Sequence, residues 1–181
     1  MLIGAGAIQK IGVLRAQELG LRVVAVDGDN LASGLALADE GIVVDIRNPE
    51  AIVQLARERS ICGVLCIAVD AAIESVAFVG RALGLRTLTP EAAKNATLKH
   101  RMRQKWAKAG VPSPQAIPCR SFSEAEDAFK QIGLPAVVKR SDSAGSRGVS
   151  KVDSAEELER AFSKAREFSC GGIVLIETYL E

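Results

Sequence analysis

The chain has 181 residues, long enough for one or two domains with a real hydrophobic core. Hydrophobic residues make up 48% and charged residues 25%, but aromatics only 4%, so a core must be built from Ala, Val, Leu and Ile, the usual material of helices packed on a parallel sheet. A net charge of +1 without basic or acidic blocks argues against a nucleic-acid or membrane surface, a single histidine, His100, excludes a histidine-rich metal site, and no apolar run reaches the roughly 18 residues of a membrane span.

In chain order, residues 1–4 read as a strand that begins abruptly at Met1, 7–19 as a helix, and 22–27 as a strand of near-continuous Val and Ala. A third strand over 41–45, a helix over 49–59, a fourth strand over 63–68 and a helix over 71–83 follow. Short buried runs separated by helices imply βαβ units, and hence an α/β fold with a doubly wound, mostly parallel sheet. Composition shifts after Arg86. Thr89 caps a helix that has Pro90 at its first position. A strongly basic helix over 97–108 ends at Ala109-Gly110, where Gly110 supplies a left-handed cap and Pro112 and Pro114 forbid continuation. The predicted boundary therefore separates a domain over 1–110 from one over 111–181.

Beyond it come a strand near 115–118, a helix over 123–131 with Ser123 and Glu126 as capping box, and strands over 136–140 and 149–152. A helix to about 168, with Ser154 and Glu157 as its capping pair, and a last strand over 173–177 complete the pattern. This order reads as a small α+β unit with an antiparallel hairpin at its centre. The chain stops two residues after Tyr179, directly past a strand, an ending expected of a fragment. Cys62, Cys66, Cys119 and Cys170 form no CxxC pair and no secretory signal accompanies them, so they read as reduced structural thiols of a cytoplasmic protein.

Four motifs carry chemistry. Gly4-Ala5-Gly6 follows the first strand, with Asp27 ending the second, where a dinucleotide ribose would meet an acid; Gln9 occupies the position of the third glycine, so a structural or substrate-side turn is the favoured reading. Lys139 ends the apolar run Leu134-Pro135-Ala136-Val137-Val138, just before the small-residue loop Ser143-Ala144-Gly145-Ser146-Arg147-Gly148. Loop amides closing over phosphate oxygens beside a fixed lysine would make an anion clamp, while the same residues equally fit a surface hairpin. No P-loop is present. Lys99 lies in the basic stretch Lys99-His100-Arg101-Met102-Arg103, which by itself reads as a solvated helix face, with His100 a surface residue. Val174-Leu175-Ile176-Glu177-Thr178-Tyr179-Leu180-Glu181 places two carboxylates past an apolar strand, able to accept from an adenine amino group or ribose hydroxyls, or simply to leave the sheet.

Taken in this order, Lys99 to Arg103 running on to Ala109-Gly110-Val111-Pro112-Ser113-Pro114, Pro135 to Lys139, Ser143 to Val149 and Ile176 to Glu181 resemble the ATP-grasp superfamily, most closely its carbamoyl-phosphate-synthetase, biotin-carboxylase and amino-acid-ligase branch. Gly4 to Gln9, Val26-Asp27 and Ala38-Asp39 are similar to that family's Rossmann-like pre-ATP-grasp domain. The resemblance implies a pre-ATP-grasp domain with linker helices, followed by a truncated ATP-grasp N-terminal subdomain. It implies that Lys99 reaches the α-phosphate of ATP and that Lys139 touches the α- and β-phosphates and the adenine side. Ser143, Ala144, Gly145, Ser146, Arg147 and Gly148 would cover the β- and γ-phosphates. Glu177 would be the adenine-side acid, Thr178 and Leu180 would lend backbone groups, and Glu181 would fall near the ribose. Arg140 stands where the family usually has proline, which is expected to leave the approach to the loop less rigid, and Leu98 stands where an acid is common.

The activity implied is that of an ATP-dependent carboxylate–amine or related ligase acting through an acyl phosphate on a small carboxylate. Its Mg2+ ligands and most substrate-facing residues are expected in a C-terminal half beyond this chain, so no catalytic or metal-binding residue is assigned here. Such a chain is expected to hold part of the nucleotide, without activity of its own, and to pair as a homodimer or with a complementary C-terminal half. The alternative is a non-catalytic nucleotide- or metabolite-binding regulatory module built on the Rossmann-like domain.

Overall fold

Runs of Val, Ala and Ile too short for helices pair as strands near the start of the chain. In the computed structural model, which describes residues 1–142 and 147–180, β1 (Leu2–Ile3) pairs parallel with β2 (Val24–Asp27), and β2 pairs parallel with β3 (Glu40–Val43). Successive strand residues point to opposite faces. Leu2 and Ala25 accordingly pack with Val13 of α1 (Lys10–Glu18), whereas Ile3 and Val26 pack with Ile52 and Ala56 of α2 (Pro49–Glu58) and Val76 and Val79 of α3 (Ile73–Leu83). Helices thus cover both faces, as a doubly wound sheet requires. Asn48 starts α2 by accepting the Ala51 N–H at 3.1 Å, and Pro49 occupies the first turn, where its missing N–H costs nothing.

The fourth strand expected over 63–68 shrinks to one bridge. Leu65 lies parallel to Leu2, exchanging bonds with Ile3 N–H (2.9 Å) and Met1 O (3.1 Å), and Ala68 at φ 53 turns the backbone away. The Gly4-Ala5-Gly6 turn is held by Asp27, whose Oδ2 accepts the Ala5 N–H at 2.6 Å and whose Oδ1 accepts the Asp29 N–H at 2.9 Å. Gly4 sits at φ +91, and a Cβ on Gly34 would lie 2.7 Å from the Ala5 carbonyl oxygen. Both carboxylate oxygens of Asp27 are therefore engaged by the protein's own amides, in support of a structural turn over a ribose site.

The chain divides into two compact units, Met1–Lys94 and Asn95–Glu181. Helix α4 (Pro90–Thr97) bridges the division, with Thr89 Oγ1 accepting the Ala92 N–H at 3.1 Å as the sequence predicts. The division comes earlier than the predicted boundary at Gly110, because α5 (Lys99–Lys108) bonds to residues of the later strands and so belongs to the second unit.

That unit is a four-stranded antiparallel sheet in the order β4-β7-β5-β6, made of β4 (Ala116–Cys119), β5 (Ala136–Arg140), β6 (Val149–Val152) and β7 (Val174–Thr178). Helices α6 (Phe122–Ile132) and α7 (Leu158–Glu167) cover one face, where Ala128, Phe129, Ala161 and Phe162 pack on Ala136, Val138, Val174 and Ile176. The β5–β6 hairpin lies at an edge, not at the centre: β7 is buried along nearly its whole length and takes two neighbours, while the more polar β6 suits an edge. Two caps also differ from expectation. Ser121, not Ser123, caps α6, accepting the Glu124 N–H at 3.2 Å while Glu124 Oε2 accepts the Arg120 N–H at 2.6 Å. Ahead of α7 a 3-10 turn, Ala155–Glu157, intervenes, and Glu157 accepts the Asp153 N–H at 2.9 Å without a reciprocal bond from Ser154.

Replacing Asp27 by Ala removes the acceptor of two amides, that of Ala5 in the Gly4-Ala5-Gly6 turn and that of Asp29. The expected cost is about 1–3 kcal/mol of unfolding free energy, with a smaller loss for Asp27→Asn. Urea denaturation of the two variants checks it, and an unchanged midpoint for Asp27→Ala would show that these bonds contribute nothing.

Candidate functional site

The apolar residues of β5 and β7 decide what remains on the other face of the second sheet. Ala136, Val138, Val174 and Ile176 are claimed by the helices, so Val137, Lys139, Leu175 and Glu177 point the opposite way. The pairing registers Val137 with Glu177 and Lys139 with Leu175, which makes Lys139 and Glu177 diagonal neighbours. Lys139 Nζ lies 2.5 Å from Glu177 Oε2. The sequence predicted these two residues as site partners, and the structure brings them together.

A third residue completes the cluster. Arg103 of α5 lays its guanidinium along the same carboxylate, Nε 3.0 Å from Oε1 and Nη2 3.3 Å from Oε2. Its Cζ also stacks 4.9 Å from the centroid of the Trp106 ring. The side chains of Arg103, Lys139 and Glu177 are 17%, 15% and 3% exposed, so the group is largely removed from water. Two cations meet one carboxylate, and a surplus positive charge remains among them. Sequence reasoning left Arg103 on a solvated face; the available signal was its spacing, one helical turn after Lys99.

The start of α5 is pinned to the residue that follows β5. The Lys99 N–H donates to Ser141 O at 2.8 Å, the His100 N–H donates to Ser141 Oγ at 3.2 Å, and His100 Nδ1 lies 2.6 Å from that same Oγ. Ser141 is buried, so its hydroxyl, having accepted the amide, is placed to donate to neutral Nδ1. The ring's pKa is lowered from 6.5, first by desolvation, then by Arg101 and Arg120, against an opposing pull from Asp142. His100, expected as a plain surface residue, is thus half of a latch at the head of the loop.

Other site candidates are more dispersed. Arg140 is buried on the helical side and its Nη1 donates to Phe168 O, so the position that replaces proline is anchored to the end of α7, not loosened. Arg147 is exposed, whereas Gly148 is buried at φ +71 with its Cα face toward Ala165 and Lys164 of α7. Thr178 spends its N–H on Gln115 O at 3.0 Å, and Leu180 is 62% exposed. Ser143, Ala144, Gly145, Ser146 and Glu181 lie outside the described residues. All four cysteines are free thiols, and burial pushes that of Cys119 up to about 11. Among the described residues no group of three or more His, Cys, Asp or Glu side chains could hold a metal ion, and no helix is long and apolar enough to cross a membrane.

Comparison with known proteins finds similar sequences and folds. Residues 99–181 match the family model described as carbamoyl-phosphate synthase L chain, ATP binding domain. A formate-dependent phosphoribosylglycinamide formyltransferase of Synechococcus sp. is 32% identical over 99% of this chain and 47% of its own length. A carbamoyl phosphate synthase large chain of Hyperthermus butylicus is 40% identical over 54% of this chain and 9% of its own. Among solved structures, the biotin carboxylase domain dimer of Hydrogenobacter thermophilus 2-oxoglutarate carboxylase, in complex with MgADP, ADP and bicarbonate, superposes with a TM-score of 0.79 at 25% identity, over 99% of this chain and 44% of that one. The chain spans about half the length of the curated relatives it matches over its full extent.

The His100–Ser141 contact makes a pH prediction. A folded-state pKa below the unfolded value means that the unfolded chain takes up its proton first. The contribution of His100 to stability is therefore intact above about pH 6.5 and is lost as pH falls below it toward the folded value. The expected NMR titration of the ring has its midpoint below 6.5 in the folded protein, and His100→Gln should flatten the acid-side slope of stability against pH. A ring midpoint at or above the unfolded value would contradict the latch.

Proposed function

Because the chain belongs to the ATP-grasp superfamily, we propose that its second unit forms the nucleotide-binding part of an ATP-dependent ligase that joins a small carboxylate to an amine or related nucleophile. The observation that carries this reading is the surplus charge beside Glu177. Lys139 and Arg103 together exceed what one carboxylate neutralises, and all three side chains are largely buried. An anion such as a nucleotide phosphate answers that excess, and a largely buried site strengthens the interaction.

In the proposed chemistry a carboxylate oxygen attacks the γ-phosphorus of ATP, the bond to the β,γ-bridging oxygen breaks, and ADP leaves. The nucleophile's nitrogen then attacks the acyl carbon of the acyl phosphate, inorganic phosphate departs, and the nitrogen gives up a proton. Phosphoryl transfer of this kind depends on positioning and on neutralising charge. Lys139, delivered from a strand, holds the α- and β-phosphates. Lys99, one turn before Arg103, reaches the α-phosphate from the helix. Residues 143–148 supply donors over the β- and γ-phosphates, and Glu177, with Thr178 and Leu180, meets the adenine. Mg2+ would supply charge neutralisation at the phosphates, and no cluster among the described residues serves to hold it. Its ligands belong, on this proposal, to a C-terminal half supplied beyond this chain, which by itself binds nucleotide without turnover. The carboxylate, the nucleophile and assembly as a homodimer or with a complementary half are part of the same proposal, as is a cytoplasmic setting. The regulatory-module alternative draws no support from the N-terminal turn, where Asp27 already serves two amides.

The test is ATP binding by titration calorimetry. Lys139→Met should lower the affinity by about 10-fold or more, one charge-assisted contact's worth, while circular dichroism stays native. Equal affinity in the wild type and Lys139→Met would sink the reading.

A further inference from the structure

Glu177 has one more counter-ion than its charge requires, and the two are held differently. Lys139 makes a single contact, Nζ to Oε2 at 2.5 Å. Arg103 lies edge-on to the carboxylate, reaching Oε1 at 3.0 Å and Oε2 at 3.3 Å, with its guanidinium plane backed by the Trp106 ring. A lysine is a point charge on a flexible stem, suited to changing partners. A stacked guanidinium fork is suited to staying.

We propose that Arg103 is a positioning residue for nucleotide binding: a standing counter-ion that keeps Glu177 paired and in place while Lys139 moves from the carboxylate to a nucleotide phosphate. This rests on the ATP reading above. The Glu177 side chain is 3% exposed, and a carboxylate so removed from water tolerates the loss of its only partner poorly. If Lys139 stood alone, a phosphate would have to draw it off and leave that carboxylate bare, and the penalty would be charged against nucleotide affinity. With Arg103 engaging both oxygens, the departure of Lys139 leaves a bidentate pair intact. Glu177 then keeps its orientation at the adenine side, and Lys139 becomes available without local unfolding. Arg103 need not touch the nucleotide at all.

Two measurements on the same four proteins test this: wild type, Arg103→Met, Lys139→Met and the double variant. The first is thermal unfolding without ligand. Each single variant leaves Glu177 one counter-ion and should melt close to wild type, whereas the double variant strips it and should lose at least roughly 5 °C beyond the sum of the two. The second is ATP titration by calorimetry. Arg103→Met should weaken ATP by about 10-fold or more, and should have no further effect once Lys139 is Met, because its role is to release that lysine. Should the double variant fail to fold, Arg103→Lys, which keeps the charge and loses the fork, replaces Arg103→Met in the titrations and should show a smaller loss that again vanishes without Lys139.

Additive melting shifts would overturn the proposal. So would wild-type ATP affinity in Arg103→Met, or an equal loss in both backgrounds, which would make Arg103 a direct ligand. Those results leave the ATP reading standing if Lys139→Met binds ATP weakly. Undiminished ATP binding by Lys139→Met would defeat the ATP reading itself, and this proposal with it.

Discussion

A carboxylate with almost no solvent contact is stable as an ion only if its charge is answered nearby, and Glu177 is in that position on the central strand of the second sheet. The answer comes from two separate elements, Lys139 on β5 and Arg103 on α5. Both contacts hold α5 and β5 to this one strand residue. The opposite face has no such constraint. There Ala136, Val138, Val174 and Ile176 meet α6 and α7 in an apolar layer held mainly by hydrophobic burial. The two faces are linked through register. A slip of one residue by β5 against β7 would send Lys139 into the apolar layer and expose Val138, separating Lys139 from Glu177. The core therefore fixes the geometry of the charged face without touching it.

The residues that flank 143–146 are secured by contacts of a different kind. On one side Ser141 holds the first turn of α5 through Lys99 N–H and through the backbone N–H and ring Nδ1 of His100, and Arg140 reaches the last carbonyl region of α7 at Phe168. On the other, Gly148 turns at φ +71 against the backbone of α7, where a side chain would meet Ala165. Backbone and buried polar contacts thus set both ends of the segment. This is why Arg140, which lacks the stiffness of proline, still defines the approach to the loop: a buried guanidinium on a helix terminus restrains the chain through hydrogen bonding instead of through a ring.

What could be read in the sequence follows from which interactions are local. The strands Ala136–Arg140 and Val149–Val152 were legible residue for residue, because a run of β-branched and small residues bounded by turn formers has few other fates. Family likeness put Lys139 and Glu177 in the same site, and their direct ion pair became visible only once β5 and β7 were in register. Arg103 was not legible. A helix with five cations in ten residues offers no local reason to choose the one that faces a sheet, and that choice depends on an acid seventy-four residues away. The same reason groups α5 with the later strands although the glycine and prolines after it mark a real turn. Local ambiguity accounts for the caps. Ser121 and Ser123 both precede acids at the right spacing, and Phe122 packing against the core selects the earlier one. The strand over 63–68 was overcalled because its neighbour β1 is only two residues long and offers a partner at Leu65 alone.

The charged cluster is poorly explained as a device for stability. A buried ion pair commonly does no better than apolar side chains of the same volume, since desolvation offsets most of the attraction. Here the pair formed by Arg103 and Glu177 would already be complete, and Lys139 adds a second largely buried cation with no further acid against it among the described contacts. A structure shaped by stability alone has little use for that addition. An anion-binding site does, because the extra charge is compensated only when a ligand arrives, and until then the carboxylate keeps the lysine desolvated, oriented and close at hand. The arrangement is therefore better understood as a site held ready with a surrogate anion, Glu177, in which the fixed cation makes the exchange of the mobile one feasible.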